Sequence, residues 1–358
     1  MKTRYFLIGG FFIWILIVPF LLFTQNAYKS ENLFYMIDSE DSFRSFRDNI
    51  EQISIVAPQE YRVNEEGVVW GNTDARMREL ALEHDVKVMP LIINPGFDPD
   101  LLHALLNDEL ARKRSIDMMI GYAKERGYYG WQFDYEHLRI IDRDVFTQYY
   151  RETADAFREV GLKLSIAVVP RESELPGPGA YHRWLFDSWR AGYDLQELAR
   201  IGDFLSIMTY SQHTRRTPPG PVASTRWIEN ILIHLINELE IDPNKISLGI
   251  PFYSTYWFPN YNVERGGFVD GRGMAHRDAI HLIEQHNASI TWVEDHQSTM
   301  ALWENGGVFE YIFLEDARSL APKLDIMKQY ELRGFSVWRL GQEDPEMWNV
   351  IDEKTTRK

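Results

Sequence analysis

Residues 130–137 read Gly130-Trp131-Gln132-Phe133-Asp134-Tyr135-Glu136-His137, with polar and aromatic residues in strict alternation. Successive side chains of a β-strand point to opposite faces, so Gln132, Asp134 and Glu136 share one face and the aromatic residues share the other. An apolar protein interior accepts two carboxyl groups only at an open end, where they bond to each other and meet a ligand. The pattern therefore predicts a strand that ends in a polar site.

Asp134 and Glu136 are two positions apart on the same predicted face. Two carboxyl groups this close do not both ionise readily, so we expect one of them to stay protonated near neutral pH, as a general acid requires. The alternative is an exposed strand end with solvated acids, because acidic residues at strand ends also cap helices. The spacing alone leaves both interpretations open.

The rest of the chain alternates short β-rich apolar runs with longer amphipathic stretches. Eight runs are predicted as strands, at 33–37, 53–57, 86–92, 130–135, 163–169, 204–209, 246–252 and 334–338. Helices are predicted between them at 42–50, 74–84, 108–126, 144–160, 195–201, 225–239 and 319–330. Eight such units predict an α/β protein, a closed (β/α)8 TIM barrel whose chemistry lies at the C-terminal ends of the strands. An open Rossmann sheet is the alternative, but no glycine-rich fingerprint follows any strand.

A surplus of sequence separates the seventh and eighth predicted strands. This segment, about 256–309, holds short β-rich runs at 267–269 and 290–293, with another run at 311–314 just after it. We expect it to form a small α+β insertion rather than an independent domain. Residues 28–358 are then one domain.

The N-terminal residues 1–27 differ in composition from the rest of the chain. Residues 5–23 carry no charge and would form a helix about 28 Å long, close to the hydrocarbon thickness of a bilayer. We expect a single transmembrane anchor, with a cleaved signal peptide as the alternative, although Ala27 has no small residue two positions before it. Lys2 and Arg4 precede the span, which predicts a cytoplasmic N-terminus and a domain in the periplasm or outside the cell.

The composition excludes several classes of partner. Asp and Glu outnumber Lys and Arg by 53 to 38, and this net charge of −15 is unsuited to nucleic acid phosphates. The chain has no cysteine, which excludes disulfides, thiolate nucleophiles and iron–sulfur clusters. His137, His213 and His276 are scattered rather than at ligand spacing, so we expect no metal and no cofactor. We expect a monomer.

Several motifs together resemble one family. Residues 130–136 resemble the signature of glycoside hydrolase family 18, the chitinase-like barrels, in which acids at alternate positions end in a catalytic Glu. Met208-Thr209-Tyr210 resembles the family's Met-x-Tyr, residues 248–253 resemble its seventh strand, and Trp338 matches its floor tryptophan. Residues 218–224, 313–317 and 338–341 are most similar to the bacterial branch that includes spore-cortex-lytic N-acetylglucosaminidases.

The resemblance implies retaining hydrolysis of a β-linked N-acetylglucosamine polymer, in which the substrate's own 2-acetamido group attacks the anomeric carbon. It implies that Glu136 protonates the leaving oxygen and then activates water, that Asp134 holds the acetamido N–H, and that Tyr210 hydrogen-bonds the acetamido oxygen. Five further residues are expected to bind substrate: Gln132, Met208, Trp338, Tyr253 and Tyr35.

Two positions depart from the family pattern, which has Asp where this chain has Tyr129 and Gln132. Glutamine still forms hydrogen bonds but lacks the charge that raises the pKa of Asp134 and Glu136. We expect an altered pH optimum or reduced turnover. Peptidoglycan or another envelope polymer is the expected substrate, with chitin second. The alternative is a catalytically weak or inactive carbohydrate-binding protein, a lectin, on the same barrel.

Aromatic residues in the predicted loops can stack on sugar faces. These are Trp70, Tyr181, Trp184, Tyr256, Trp257, Phe258 and Tyr261. For any one of them, packing within its loop is the alternative, but as a set they fit a carbohydrate groove better than a phosphate site. Arg215-Arg216 follows Tyr210, and it is either solvated or contacts an anionic substituent of the substrate.

Overall fold

The computed structural model describes residues 27–214, 217–259 and 269–358. The expected membrane span at 5–23, the pair Arg215-Arg216 and Tyr261 lie outside the described residues. Among the helices that the structure does describe, none combines the length and the apolar character needed to cross a bilayer.

The secondary structure alternates between strands and helices for most of the chain. The strands are β1 (Tyr28–Met36), β2 (Ile55–Pro58), β3 (Tyr61–Val63), β4 (Val69–Trp70), β5 (Lys87–Val88), β6 (Leu91–Ile93), β7 (Gly130–Asp134), β8 (Lys163–Val168), β9 (Phe204–Ile207), β10 (Ile246–Pro251), β11 (Tyr253–Pro259), β12 (Val269–Ala275), β13 (Ser289–Val293), β14 (Ser298–Asn305), β15 (Val308–Leu314), β16 (Gly334–Trp338) and β17 (Thr355–Arg357). The helices are α1 (Glu40–Asp48), α2 (Ala75–Glu83), α3 (Pro99–Asn107), α4 (Glu109–Arg126), α5 (Arg143–Glu159), α6 (Ala180–Leu185), α7 (Leu195–Ile201), α8 (Thr225–Ile233), α9 (His276–Gln285), α10 (Ala317–Gln329) and α11 (Met347–Lys354).

The parallel strands form a curled, TIM-barrel-like sheet, which confirms the barrel-like part of the predicted fold. Around the ring, β6, β7, β8, β9, β10, β16, β1 and β2 are neighbours, and β5 pairs with β2. The ring closes through the third barrel strand, which the structure divides into β5 and β6 because Pro90 between them has no N–H to donate. At the closure, Met89 N–H donates to Val56 O at 3.0 Å and Tyr129 N–H donates to Val88 O at 2.8 Å.

The side chains of β7 alternate between the two faces of the strand as predicted. Trp131, Phe133 and Tyr135 are fully buried against the helices that surround the barrel, and the indole of Trp131 donates to the Met119 carbonyl in α4 at 3.0 Å. Burial of such large side chains stabilises the fold by roughly 1.5–3 kcal/mol each. Gln132 and Asp134 consequently face the barrel interior.

Four of the described helices were not predicted as separate elements: α3, α6, α9 and α11. The signal for α3 is visible in the sequence, because Asp98 caps the N–H groups of Asp100 and Leu101 and Pro99 occupies the first turn. The helix begins directly after the loop that follows β6. It therefore helps to place the end of β6 beside β7.

Between β10 and β16 the chain forms a five-stranded antiparallel sheet in the order β12-β11-β15-β14-β13. Its strands run from Tyr253 to Leu314, where the sequence analysis placed the insertion at about 256–309, and α9 packs on it through a small apolar core. An ion pair of 2.7 Å joins Arg277 in α9 to Asp41 in α1. The insertion thereby contacts the barrel beside the C-terminal end of β1.

Candidate active site

Asp134 is the last residue of β7, and Glu136 follows two positions later at the C-terminal mouth of the barrel. Asp134 is 4% exposed, whereas Glu136 is partly exposed. The backbone of Glu136 is held by Asn94, which accepts from its N–H at 3.1 Å and donates to its carbonyl at 3.2 Å. The Glu136 side chain therefore lies at the rim of the barrel, while Asp134 lies one layer below it.

The two carboxyl groups have different pKa values for a clear physical reason. Burial raises the pKa of Asp134 to about 6, and the donor from Gln59 opposes this rise. Burial together with the neighbouring charge of Asp134 raises the pKa of Glu136 to about 8. Between these values Asp134 is ionised and Glu136 is protonated, which is the state that a charge-stabilising group and a general acid need.

Tyr210 lies beside this pair, just beyond the end of β9. Burial raises the pKa of its phenol, and Tyr35, Asp134, Tyr253 and Glu136 add to the rise. Its ring contacts that of Tyr253 edge-on, with 6.4 Å between centroids. A side chain at Gly249 would approach both Ile207 O and the Tyr210 ring, so a glycine there lets Tyr210 pack against β10.

The other predicted substrate-binding residues lie at or near the C-terminal ends of the barrel strands. Trp338 ends β16 and packs against Tyr35 of β1, with 5.5 Å between ring centroids. Tyr253 begins β11, and its hydroxyl pairs with that of Ser211 at 2.7 Å. Met208 is half-buried against the main core. The structure thus brings Tyr35 and Tyr210 near the Asp134 carboxyl group. Trp338 packs on Tyr35 and Tyr253 packs on Tyr210, while Met208 precedes Tyr210 by two residues.

Gln132 requires a correction, because the structure does not place it in contact with the mouth. Its side chain is fully buried, and its amide donates to Ser165 Oγ at 2.9 Å and to Ser206 Oγ at 3.0 Å. The period-two pattern gave the correct face but not the depth, since a strand rises about 3.3 Å per residue and Gln132 is two residues below Asp134. Gln132 is part of the barrel interior and not of the substrate surface.

Tyr129 lies at the opposite end of the strand from the acids. Its ring is half-buried beneath the inner barrel residues, and the ammonium of Lys87 lies 4.8 Å from its centre. This position agrees with a packing role.

Three residues near the acids were missed by the sequence analysis: Gln59, Asn94 and Trp189. Gln59 donates to Asp134 Oδ2 at 3.0 Å. Trp189 stacks edge-on against His137 at 5.3 Å and its indole N–H lowers the pKa of Glu136. Gln59 and Asn94 directly follow β2 and β6, so the strand-end rule could have found them. Trp189 lies in a π-helical segment (Phe186–Arg190) that continues α6 and carries no comparable signal.

The exposed aromatic residues divide into two groups. Tyr181 and Trp184 are about half exposed and stacked at 5.9 Å, and Trp184 lines a groove of about 470 Å³ with Ile140, Ile141 and Arg183. Tyr256 and Phe258 line a separate hollow of about 370 Å³ in the insertion, and Trp70 is exposed on β4. Trp257 contradicts the groove prediction, because it is fully buried and donates to Gly220 O at 3.2 Å.

A parallel barrel with Asp134 and Glu136 at its C-terminal mouth, beside aromatic residues, is an arrangement typical of glycoside hydrolases. The family model of glycosyl hydrolases family 18 matches residues 27–343, and the chain belongs to this family. The protein is a glycosidase, and the resemblance found in its motifs is confirmed.

Relatives and solved structures agree with this assignment. The chain is 25% identical to a cortical fragment-lytic enzyme of Bacillus subtilis over 88% of this chain and 71% of the relative. It is 24% identical to an uncharacterized glycosylase of the same organism, over 94% and 96% of the two chains. The spore cortex-lytic enzyme SleL of Bacillus megaterium shares the fold with a TM-score of 0.82, at 22% identity over 93% of this chain and 76% of that one.

Proposed function

We propose that the protein is a retaining glycosidase that cleaves β-linked N-acetylglucosamine-containing glycans by substrate-assisted catalysis. The observation that carries this proposal is the placement of Asp134, buried at the end of β7, below Glu136 at the rim of the barrel mouth. Burial raises the pKa of Asp134 to about 6, and burial together with the charge of Asp134 raises the pKa of Glu136 to about 8, which favours an ionised Asp134 beside a protonated Glu136 near neutral pH. Hydrolysis assisted by an acetamido group needs one general acid and one fixed negative charge, and not a second carboxyl nucleophile. The site supplies both.

In the proposed reaction Glu136 gives its proton to the glycosidic oxygen as the bond from that oxygen to the anomeric carbon breaks. The carbonyl oxygen of the substrate's acetamido group attacks the anomeric carbon and forms an oxazolinium ion. The carboxylate of Asp134 accepts the acetamido N–H and stabilises the positive charge, while the Tyr210 hydroxyl donates to the acetamido oxygen. Glu136 then takes a proton from water, and that water reopens the ring with overall retention.

Trp338 forms the apolar surface on which the sugar at the cleavage point rests in this proposal, and Tyr35, which is buried, supports its ring from within the barrel. Their rings pack at 5.5 Å at the end of β16 and β1. Tyr253 and Met208 complete the wall of the site. Aromatic rings suit this task because their faces match the C–H surface of a pyranose.

The favoured substrate is peptidoglycan or a related polymer of the cell envelope, with chitin second. The cortical fragment-lytic name of a relative supports this choice.

We also propose that residues 5–23 anchor the protein in the membrane with the domain outside the cytoplasm, because this stretch is uncharged and long enough to span a bilayer. Protease treatment of intact spheroplasts tests the location: the domain is expected to be digested, and complete protection would contradict it.

A direct test incubates the full-length protein with peptidoglycan glycan strands and, separately, with N-acetylglucosamine oligomers. Mass spectrometry is expected to show new N-acetylglucosamine reducing ends. Glu136→Gln should lower hydrolysis by about 10²–10⁴-fold, the usual contribution of a general acid, and leave binding intact. The matched control Glu159→Gln replaces an exposed glutamate on α5 and should hydrolyse normally. Binding without any hydrolysis by the wild-type protein would instead identify the lectin, the second candidate motivated by Gln132.

A further inference from the structure

The side chain that holds Asp134 comes from a different strand. Gln59 follows β2 and its Nε2 donates to Asp134 Oδ2 at 3.0 Å. The backbone of Gln59 is itself fixed, because its N–H donates to Met36 O at 2.9 Å and the residue lies between β2 and β3. The donor therefore approaches the carboxyl group from a rigid position.

Gln132, which lies two residues before Asp134 on β7, does not hold the carboxyl group of Asp134. Both donor contacts of the Gln132 amide go to the hydroxyls of Ser165 and Ser206, and its Oε1 has no hydrogen-bond partner. Asp134 is bonded by Gln59 instead, from the side that faces β2. The carboxyl group is thus oriented independently of its own strand.

Ionisable groups face Asp134 from several elements. Glu136 follows it two residues later, and Tyr35, Tyr193 and Tyr210 face it from β1, from the segment before α7 and from the end of β9; burial and the charge of Asp134 raise the pKa of each of them. Burial disfavours the charge of Asp134, and Gln59 is the group that favours it. An amide N–H forms a stronger hydrogen bond to a carboxylate than to a neutral carboxylic acid, so this contact favours the ionised form.

We propose that Gln59 is a positioning residue for the glycosidase reaction: it holds Oδ2 of Asp134 so that the carboxyl group is ionised, with Oδ1 left for the acetamido N–H of the substrate. This inference rests on the proposed function of Asp134. In this proposal the hydrogen bond from Gln59 determines which of the two acids, Asp134 or Glu136, carries the proton. Glu136 remains protonated because Asp134, held by Gln59, carries the charge.

The test replaces Gln59 in the full-length protein and measures two quantities. Gln59→Met keeps the length of the side chain and removes the donor, while Gln59→Glu puts a carboxyl group in its place. The first measurement is the titration of the Asp134 carboxyl carbon by ¹³C NMR, with the signal identified by its loss in Asp134→Asn. The second is the pH profile of kcat/KM. Gln196→Met is the matched control, because its amide bonds Leu239 O at 3.0 Å on the exposed side of α7.

In both variants the Asp134 carboxyl group is expected to titrate at a higher pH than in the wild-type protein, by about one pH unit for Gln59→Met. The acidic limb of kcat/KM should move upward with it, and kcat at neutral pH should fall about tenfold or more, since a hydrogen bond to a charged group is lost. Gln196→Met should change neither quantity. Two variants of Gln59 are included so that the test remains if one of them fails to fold.

The outcomes separate this inference from the proposed function. If the wild-type protein cleaves glycan and Glu136→Gln does not, yet Asp134 titrates normally in both Gln59 variants, the role of Gln59 is wrong and the function stands. If the wild-type protein cleaves nothing, the function is wrong. The NMR titration still decides in that case whether Gln59 keeps Asp134 ionised.

Discussion

The side chain of Asn94 bonds both the N–H and the carbonyl of Glu136, at 3.1 and 3.2 Å, from the end of the neighbouring strand. Asn94 is fully buried, and its amide also donates to Asp98 O at 3.1 Å. Glu136 lies beyond the last ladder pair of β7, so sheet pairing does not hold its backbone. Asn94 takes over this task and sets the height of the proposed acid above Asp134.

Asn94→Ala should therefore lower both stability and turnover. The buried backbone groups of Glu136 lose their partners, which costs roughly 1–3 kcal/mol in the free energy of unfolding. A displaced acid should lower kcat by about ten- to a hundredfold, with a smaller change in KM. Urea unfolding and steady-state kinetics measure these effects, with Asn107→Ala on the exposed end of α3 as the control. An unchanged kcat would contradict the positioning role.

The pH dependence of kcat/KM should be bell-shaped, with apparent limbs near pH 6 and pH 8. These values belong to the pair, since Asp134 must lose its proton and Glu136 must keep its own. Asp134→Asn removes the charge that helps to raise the pKa of Glu136, so any residual activity should lose its basic limb at lower pH. Profiles measured from pH 4 to 10 test this. A flat profile between pH 5 and 9 would rule out the assignment.

Glu136→Gln should raise the melting temperature at alkaline pH. The pKa of Glu136 is about 8 in the fold and near 4.5 when the group is unperturbed, so the folded state binds more protons between these values. Stability from this group is complete below about pH 4.5 and is lost as the pH rises to about 8. Glutamine does not ionise, so the variant should melt higher than the wild-type protein at pH 9 and nearly together with it at pH 4.5. Calorimetry at the two pH values gives the comparison.

The variant Gln132→Ala tests whether Gln132 belongs to the barrel interior or to the substrate-binding surface. Removal of the amide leaves two buried serine hydroxyls without their donor, at a cost of roughly 1–3 kcal/mol. Because Gln132 does not reach the mouth, KM should stay within about twofold of the wild-type value. Trp338→Ala serves as the contrast and should raise KM. A large rise in KM for Gln132→Ala would restore it to the substrate-binding residues.

Lys323→Met should be strongly destabilising, although it lies away from the acids. Lys323 and Glu315 form a fully buried ion pair of 2.7 Å between α10 and the end of β15. Loss of the lysine leaves a buried charge without its partner, which costs roughly 3–5 kcal/mol. The double variant Lys323→Met with Glu315→Gln should recover a large part of this loss in urea unfolding. Equal destabilisation of the single and double variants would argue against an ionic origin.

Local sequence patterns predicted much of the fold. The alternation in residues 130–137 put Trp131 against the helices and Asp134 in the interior, because side chains of a strand alternate whatever their surroundings. The third strand was less well described, since Pro90 interrupts its ladder and the structure divides it into β5 and β6. Helix α3 was missed although Asp98 and Pro99 mark its start.

By itself the sequence determined the order of the eight barrel strands, the face on which Asp134 and Glu136 lie, and the motifs that assign the family, because these depend on neighbours along the chain. Only the tertiary structure decided how deep each residue sits and which distant residues meet. Gln132 proved to be closed inside the barrel, and Gln59 and Asn94 came from other strands to hold the two acids. The physical reason is that depth, charge and hydrogen bonding at the mouth arise from the closure of eight separate strands, which no local pattern records.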